Sequence, residues 1–479
     1  MARRLSTRQA LTMTLPSRKA DRCLPSLLLG LLVVTLTTST RPFSLLYKYV
    51  HSEESLAAAA EAIHRNRTQA AKQYFVRTMK DQQHRHSAGQ RQNRSWPIQV
   101  RLAIAIVSVR RENYSTPTVG HVIQSAAALD SLLRQQGSSD DLFGDSVLFV
   151  CNVDGIPEVN TAADFLRDYV HFVERYGESS TGISLSRLTI PGSKGTRYRD
   201  VFHWDLYEKE RYDYMFCLQS AMAFRPHYVL IVQDDALALP DMPSVVQHAL
   251  QRLTKAPGRY RNDHKQFGSS LSSNPSRSKI RASAGSERDF NDTEFLDELA
   301  ALSGFVYLKL YFPLYWQGFA FELIPVFDLL SMAEVLASVV IVVLQIYVYK
   351  GRVPPKSIVS KVTVFILALC LLVGRQNLNE LRRLSKHLYR LQSSSECCIP
   401  AVLYPCDVVP ALLTSLSRCQ DERHVDLCIA DFAKHSGLPT YSLEPNLFSH
   451  TGTISTLNMT DKSPEELLFH STLTVFSAE

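Results

Sequence analysis

Residues Tyr228–Ala236 read YVLIVQDDA, an apolar and β-branched run that ends in the adjacent carboxylates Asp234 and Asp235. A run this short and this rich in Val and Ile predicts a strand buried on both faces. The carboxyl edge of such strands is where ligands sit in open α/β sheets. Two hard oxygen donors there suit Mg²⁺ or Mn²⁺, ions that bridge the phosphates of a nucleotide. Buried neighbouring carboxylates repel one another, and a cation resolves that repulsion. The plain alternative is a strand-end turn in which an Asp caps the next helix.

Working outward, Ile98–Val109 (IQVRLAIAIVSV) and Ser146–Val153 (SVLFVCNV) are further β-rich runs. Ala162–Tyr176 and Glu208–Phe224 have helical patterning, and the second offers Tyr212, Met215, Cys217, Leu218 and Met222 to a core. Strands alternating with helices predict an α/β fold with a mainly parallel sheet. Residues 267–290 are rich in Ser, Arg and Gly and read as a flexible insertion. Beyond residue 393 come a helix around Val425–Lys434 and a strand-like tail through Phe448.

The chain has 479 residues, with 52 Lys+Arg against 46 Asp+Glu and a net charge of +6. That mild excess lacks the dense basic patches of a nucleic-acid-binding protein, so no nucleic-acid partner is expected. Mean hydropathy is −0.07, high for a soluble chain, because apolar residues are concentrated in three runs. Leu24–Thr38 follows Arg3, Arg4, Arg8, Arg18, Lys19 and Arg22, which predicts a signal anchor with a cytosolic tail. A cleavable signal peptide is the alternative, although no A-x-A site follows. Ser331–Tyr349 and Val362–Gly374 are the other two runs, separated by the basic loop around KGRVPPKS. They predict a membrane hairpin with its tip in the cytosol; a buried soluble hairpin is the alternative. The short spans suit thin early secretory membranes.

The expected organisation is a cytosolic tail (1–23), a signal anchor (24–40), a lumenal stem (41–96), the first part of a catalytic domain (97–325), a hairpin (326–375, tip 350–357) and the second part of that domain (376–479). Sequons at Asn66, Asn93, Asn113, Asn291 and Asn458 all fall on the lumenal side of this scheme. Cys397, Cys398, Cys406, Cys419 and Cys428 cluster after the third run. In an oxidising lumen they read as one or two disulfides, with zinc a weaker rival. Adding Cys151 and Cys217 makes the number odd, so at least one thiol stays free or pairs between chains.

An anchor, a stem and an α/β head with a strand-end acidic motif resemble GT-A glycosyltransferases. The segment KERYDYMFCLQSAMAFRPHYVLIVQDDALALP resembles the corresponding stretch of the post-GPI-attachment-to-proteins factor 4 family, the GPI-anchor N-acetylgalactosamine transferases. ECCIPAVLYP, the hairpin inside the domain and the tail YSLEPNLFSHTGTISTL also resemble that family, and the tail resembles N-acetylglucosaminyltransferase IV as well. The resemblance implies a Golgi enzyme that uses UDP-GalNAc and Mn²⁺ (or Mg²⁺), inverts the sugar, and acts on a mannose of the glycan of GPI-anchored proteins. It implies Asp235 and His450 as metal ligands, Asp234 toward ribose or sugar, and Val109, Arg110 and Arg111 beside the nucleotide. Gln233 stands where the family motif has Glu, which removes one charge. An inverting transfer needs a base for the acceptor hydroxyl. Asp421, Glu422, Asp426 and Asp431 are candidates, and Asp426 matches the carboxylate that opens the family's acceptor-side helix. An N-glycan-branching transferase and a non-enzymatic adaptor are the competing readings.

Overall fold

A computed structural model describes residues 29–30, 32–33, 36, 41–44, 47, 51–87, 100–110, 120–135, 142–156, 159–176, 206–255, 304–314, 323–420, 423–452 and 465–469. The chain divides into two compact units, one of Met1–Ser52 with Gln317–Leu378 and one of Glu53–Trp316 with Asn379–Glu479.

Among the described residues the larger unit has ten strands: β1 (Leu102–Ser108), β2 (Ser146–Asn152), β3 (His171–Glu174), β4 (Tyr228–Gln233), β5 (Ala236–Ala238), β6 (Leu308–Lys309), β7 (Arg390–Ser393), β8 (Ala401–Pro405), β9 (Tyr441–Glu444) and β10 (Phe448–His450). Its helices are α1 (Glu53–Ser87), α2 (His121–Gln135), α3 (Thr161–Phe165), α4 (Leu206–Met222) and α5 (Met242–Lys255). The hairpin helices α6 (Leu323–Tyr347) and α7 (Lys356–Val373) and the short α8 (Arg375–Asn379) come next. The larger unit then closes with α9 (Val409–Ser417), α10 (Val425–Ser436) and α11 (Glu465–Phe469).

Eight strands form one sheet in the order β3-β2-β1-β4-β8-β6-β9-β7, and β10 pairs β5 in a separate ribbon. The β3-β2-β1-β4 half is parallel, while β4–β8, β8–β6 and β9–β7 are antiparallel. The β6–β9 pair is parallel as well, so the sheet is mixed, with parallel pairing dominant on the β3-β2-β1-β4 side. After β4 the chain adds β6 to the sheet before the hairpin and β7, β8 and β9 after it, and β8 runs antiparallel beside β4. A difference from the expected pattern concerns 162–176. Its helix ends early, and His171–Glu174 becomes an edge strand against β2, where aromatic and β-branched residues favour pairing over helix.

Strand alternation builds two cores. Leu102, Ile104, Ile106, Leu230 and Val232 face α2 and α5, whereas Ala103, Ala105, Val229 and Ile231 face α4, α9 and α10. Ala103 and Ala105 are small, which leaves room for Tyr214, Met215 and Leu218 of α4 on that face. Cys151 and Cys217 tie β2 to the same helix. Helix α1, in the segment expected as a stem, contributes Ala71 and Phe75 to the first core, and Tyr74 donates to Asp130 of α2 at 2.8 Å. Asn66 is exposed on α1; the other four sequon asparagines lie outside the described residues.

Gly120 lets α1 and α2 approach. A Cβ there would stand 2.4 Å from Thr68 Oγ1, and that hydroxyl donates to His64 O and accepts from Gln124 Nε2. Gly120→Ala must displace Thr68 and break both bonds. We expect it to cost about 1–3 kcal/mol, read as a lowered thermal midpoint.

In the smaller unit, α6 and α7 bury Leu329, Ala333, Ala337, Leu344, Val362, Ile366 and Leu369 along one seam. Their outer faces expose Phe327, Val335, Val339, Val342, Ile346, Val364 and Leu371. Both helices are long and apolar enough to cross a membrane. At their base Arg375 pairs with Asp328 at 3.1 Å, and Asn377 donates to Pro42 O at 2.9 Å. Of the first apolar run only residues 29, 30, 32, 33 and 36 are described, all helical.

Candidate active site

Strand β4 ends as expected in the acidic motif. Gln233 N donates to Pro400 O at 2.8 Å, and Asp234 N donates to Val107 O at 3.1 Å. The chain then turns at once into β5, which pairs with β10 so that Ala236 lies opposite His450. That pairing carries the imidazole to the acidic motif. His450 Nε2 lies 3.1 Å from Asp235 Oδ2, and both side chains are about 95% buried. Asp234 is buried beside them.

Residues with no sequence signal complete this corner. Thr451 N and Oγ1 both donate to Asp235 O, at 2.7 and 2.9 Å, and Thr451 Oγ1 is 3.1 Å from His121 Nδ1. Ser125 of α2 donates to Ala236 O at 2.8 Å. The Tyr311 ring packs 5.8 Å from the His450 ring, and its hydroxyl donates to Glu466 of α11. Burial, reinforced by Glu466, pushes the Tyr311 phenol well above its usual range, so it remains a donor at neutral pH. Thr451 adjoins His450 in FSHTGT, a proximity that could have flagged it; Tyr311, His121 and Glu466 converge only through the fold.

Asp235 and His450 fit a divalent ion in chemistry and spacing. A carboxylate with an imidazole suits Mn²⁺, and two neighbouring ligands at ~2.1 Å from one ion stand ~3 Å apart. Among the described residues no group of three His, Cys, Asp or Glu converges, so this pair would need donors from phosphate or water.

At the ends of β1 and β2 a second polar group is fixed by hydrogen bonds. Asp154 accepts from Arg110 N at 2.8 Å and from Ile156 N at 2.9 Å, and Arg110 Nε lies 3.8 Å from the same carboxylate. Asn160 donates to Asn152 Oδ1 and to Ser108 Oγ. Val109 packs partly buried on the α4 side of the sheet. Arg111, Asp421 and Glu422 lie outside the described residues.

Asp426 opens α10. Its Oδ2 accepts from Cys398 N at 3.0 Å and its Oδ1 from Leu427 N at 2.8 Å. Asp431, one turn on, is ion-paired with Arg423 instead. Glu210 of α4 lies near Asp426, with its Oε2 3.9 Å from His424 Nδ1. Burial first, then the charge of Asp426 and more weakly that of Asp213, pushes the Glu210 carboxyl up to about 8. A raised folded-state pKa means that this group stabilises the fold fully below its unfolded pKa, and that the contribution fades as pH rises through about 8. Glu210→Gln should therefore flatten the fall in thermal midpoint between pH 5 and pH 8.5, with the largest gain over wild type at the alkaline end. A pH dependence identical to wild type would refute the assignment.

The cysteine cluster forms two disulfides, Cys397–Cys398 and Cys419–Cys428. Cys406 belongs to neither, contrary to its place among the candidates. It sits just past β8 as a half-buried thiol, raised above its usual pKa by burial and by Asp407. It is thus the odd thiol that the sequence requires.

Comparison with known families identifies the chain as a glycosyltransferase. The family model that matches describes the GPI-N-acetylgalactosamine transferase PGAP4, and it covers residues 102–267 and 289–449, more than half of the sequence. The chain belongs to that family. The matched span takes in β1, the acidic motif, both hairpin helices, Asp426 and Ser449, and stops one residue short of His450.

Proposed function

We propose that this chain is a Golgi membrane enzyme that transfers GalNAc from UDP-GalNAc to a mannose of the GPI glycan, with inversion and with a divalent metal. The observation that carries the metal-dependent reading is the buried pair of Asp235 and His450 at the end of β4. Asp235 and His450 would hold Mn²⁺ (or Mg²⁺), whose charge neutralises that developing on the departing UDP. Asp234, Val109 and Arg110 line the strand ends on which the nucleotide would lie. Asp426, held at the start of α10, takes the proton of the mannose hydroxyl as it attacks the anomeric carbon from the face opposite UDP. Backbone donors on both its oxygens fix the carboxylate without using all its lone pairs.

Apolar outer faces on α6 and α7 support a hairpin embedded in the bilayer, because water would solvate them poorly. A GPI glycan lies close to the membrane surface, so extra spans would keep the head within reach of it. The test is transfer from UDP-GalNAc to GPI-anchored protein by the purified full chain in detergent, with and without a chelator, followed by glycan mass analysis. GalNAc on mannose that disappears with chelator and returns with Mn²⁺ supports the proposal. Transfer of another sugar, or transfer unaffected by chelation, contradicts it.

A further inference from the structure

Cys397 and Cys398 are adjacent in sequence and joined to each other, which closes a small ring within the backbone. This ring is half-exposed and lies between the two parts of the site. On one side Cys398 N donates to Asp426 Oδ2 at 3.0 Å. Cys398 has φ +75°, a left-handed conformation that a non-glycine residue rarely takes. On the other side Lys309 Nζ, buried on β6, donates to Cys397 O at 2.7 Å and Ser395 O at 2.8 Å. Two residues further on, Pro400 O accepts from Gln233 N, directly before the acidic motif. Burial pulls the Lys309 ammonium down to about 8, so its bonds to these carbonyls satisfy an amine that has given up much of its hydration.

We propose that the Cys397–Cys398 ring is the positioning element for Asp426, holding the Cys398 N–H where it orients that carboxylate toward the acceptor. The inference rests on the reading of Asp426 as the base. Neither cysteine touches a reacting atom; both act through Asp426. A two-residue disulfide closes no long loop, so it adds little of the chain-entropy stabilisation that longer cross-links give. What it restricts is the local peptide that carries the N–H to Asp426.

The test uses the intact enzyme in detergent, titrated with a thiol reductant, while alkylation and mass mapping follow each cysteine. Cys151, Cys217 and Cys428 are buried, so each of the other two disulfides has at least one buried sulfur, whereas Cys397 and Cys398 are both partly exposed, and the ring should open first. We expect kcat to fall ~10–100-fold in step with labelling at 397 and 398. KM for UDP-GalNAc and the affinity and stoichiometry of UDP binding should stay unchanged, which excludes mere loss of folded protein. Reoxidation should restore kcat. In an Asp426→Asn background, opening the ring should cause no further loss. Full turnover with 397 and 398 completely labelled would overturn the proposal. If Asp426→Asn itself turns over normally, the reading of the base fails. If Asp426→Asn is inactive while the open-ring enzyme is fully active, only the positioning role fails. A Cys397→Ala/Cys398→Ala enzyme provides a second measurement, with the same split between kcat and KM expected.

Discussion

Asp235→Asn should lower GalNAc transfer by about 10²–10³-fold, the range seen when one group that stabilises transition-state charge is removed. Asn keeps the size and one oxygen donor, so the fold is expected to survive. Asp235 meets Thr451 through its backbone carbonyl, and those bonds do not depend on the carboxylate. What is lost is the negative partner of His450 and one charged donor for a divalent ion. The variant should therefore need far more Mn²⁺ for half-maximal rate than wild type. Initial rates measured against Mn²⁺ concentration, with circular dichroism as a folding check, give the answer. Wild-type rate and wild-type Mn²⁺ dependence in Asp235→Asn would remove the metal site from this corner. His450→Ala should act in the same direction, and the two changes together should cost much less than the sum of their separate effects, because they disable one unit.

The strand that delivers Asp235 was legible because its signal is local: YVLIV has the composition of a buried strand, and the acidic pair marks its end. The hairpin was legible for the same reason, since long apolar runs flanked by a basic loop need no tertiary information. Partners that meet through topology were not. Tyr311, His121 and Glu466 reach the His450 corner only because β10 pairs with β5 and α11 returns to the same place. His450 has no local pattern that marks it; only the resemblance singles it out. The alternation of the edge strand His171–Glu174 is only four residues long, too short to separate strand from helix, and its partner β2 decides its state. Cysteine spacing showed that thiols cluster but not how they pair, so Cys397–Cys398 and the unpaired Cys406 had to come from geometry.

Asp426→Asn is the other change expected to have a large effect, a fall in kcat of about 10²–10⁴-fold, the usual contribution of a positioned general base. Its amide can still accept one backbone hydrogen bond, from Cys398 N or Leu427 N, so the start of α10 should stay in place. Loss of the negative charge beside Glu210 also removes one of the causes that keep that carboxyl protonated, so the variant is not expected to destabilise the α4–α10 contact. The neighbouring acidic residue on the same helix supplies the comparison. Asp431 is engaged with Arg423, so Asp431→Asn should lose a surface ion pair worth roughly 0–1 kcal/mol and keep its turnover. On the proposed reading KM for UDP-GalNAc should not move in either variant, because that reading assigns the donor to the ends of β1 and β4 and not to Asp426 or Asp431. The base role would be ruled out by an Asp426→Asn enzyme whose kcat stays within about twofold of the Asp431→Asn value. A large loss in both would instead place the defect in the folding of α10. A loss confined to Asp426→Asn, at constant donor KM, is the result expected of the proposed base, a carboxylate held by two backbone amides.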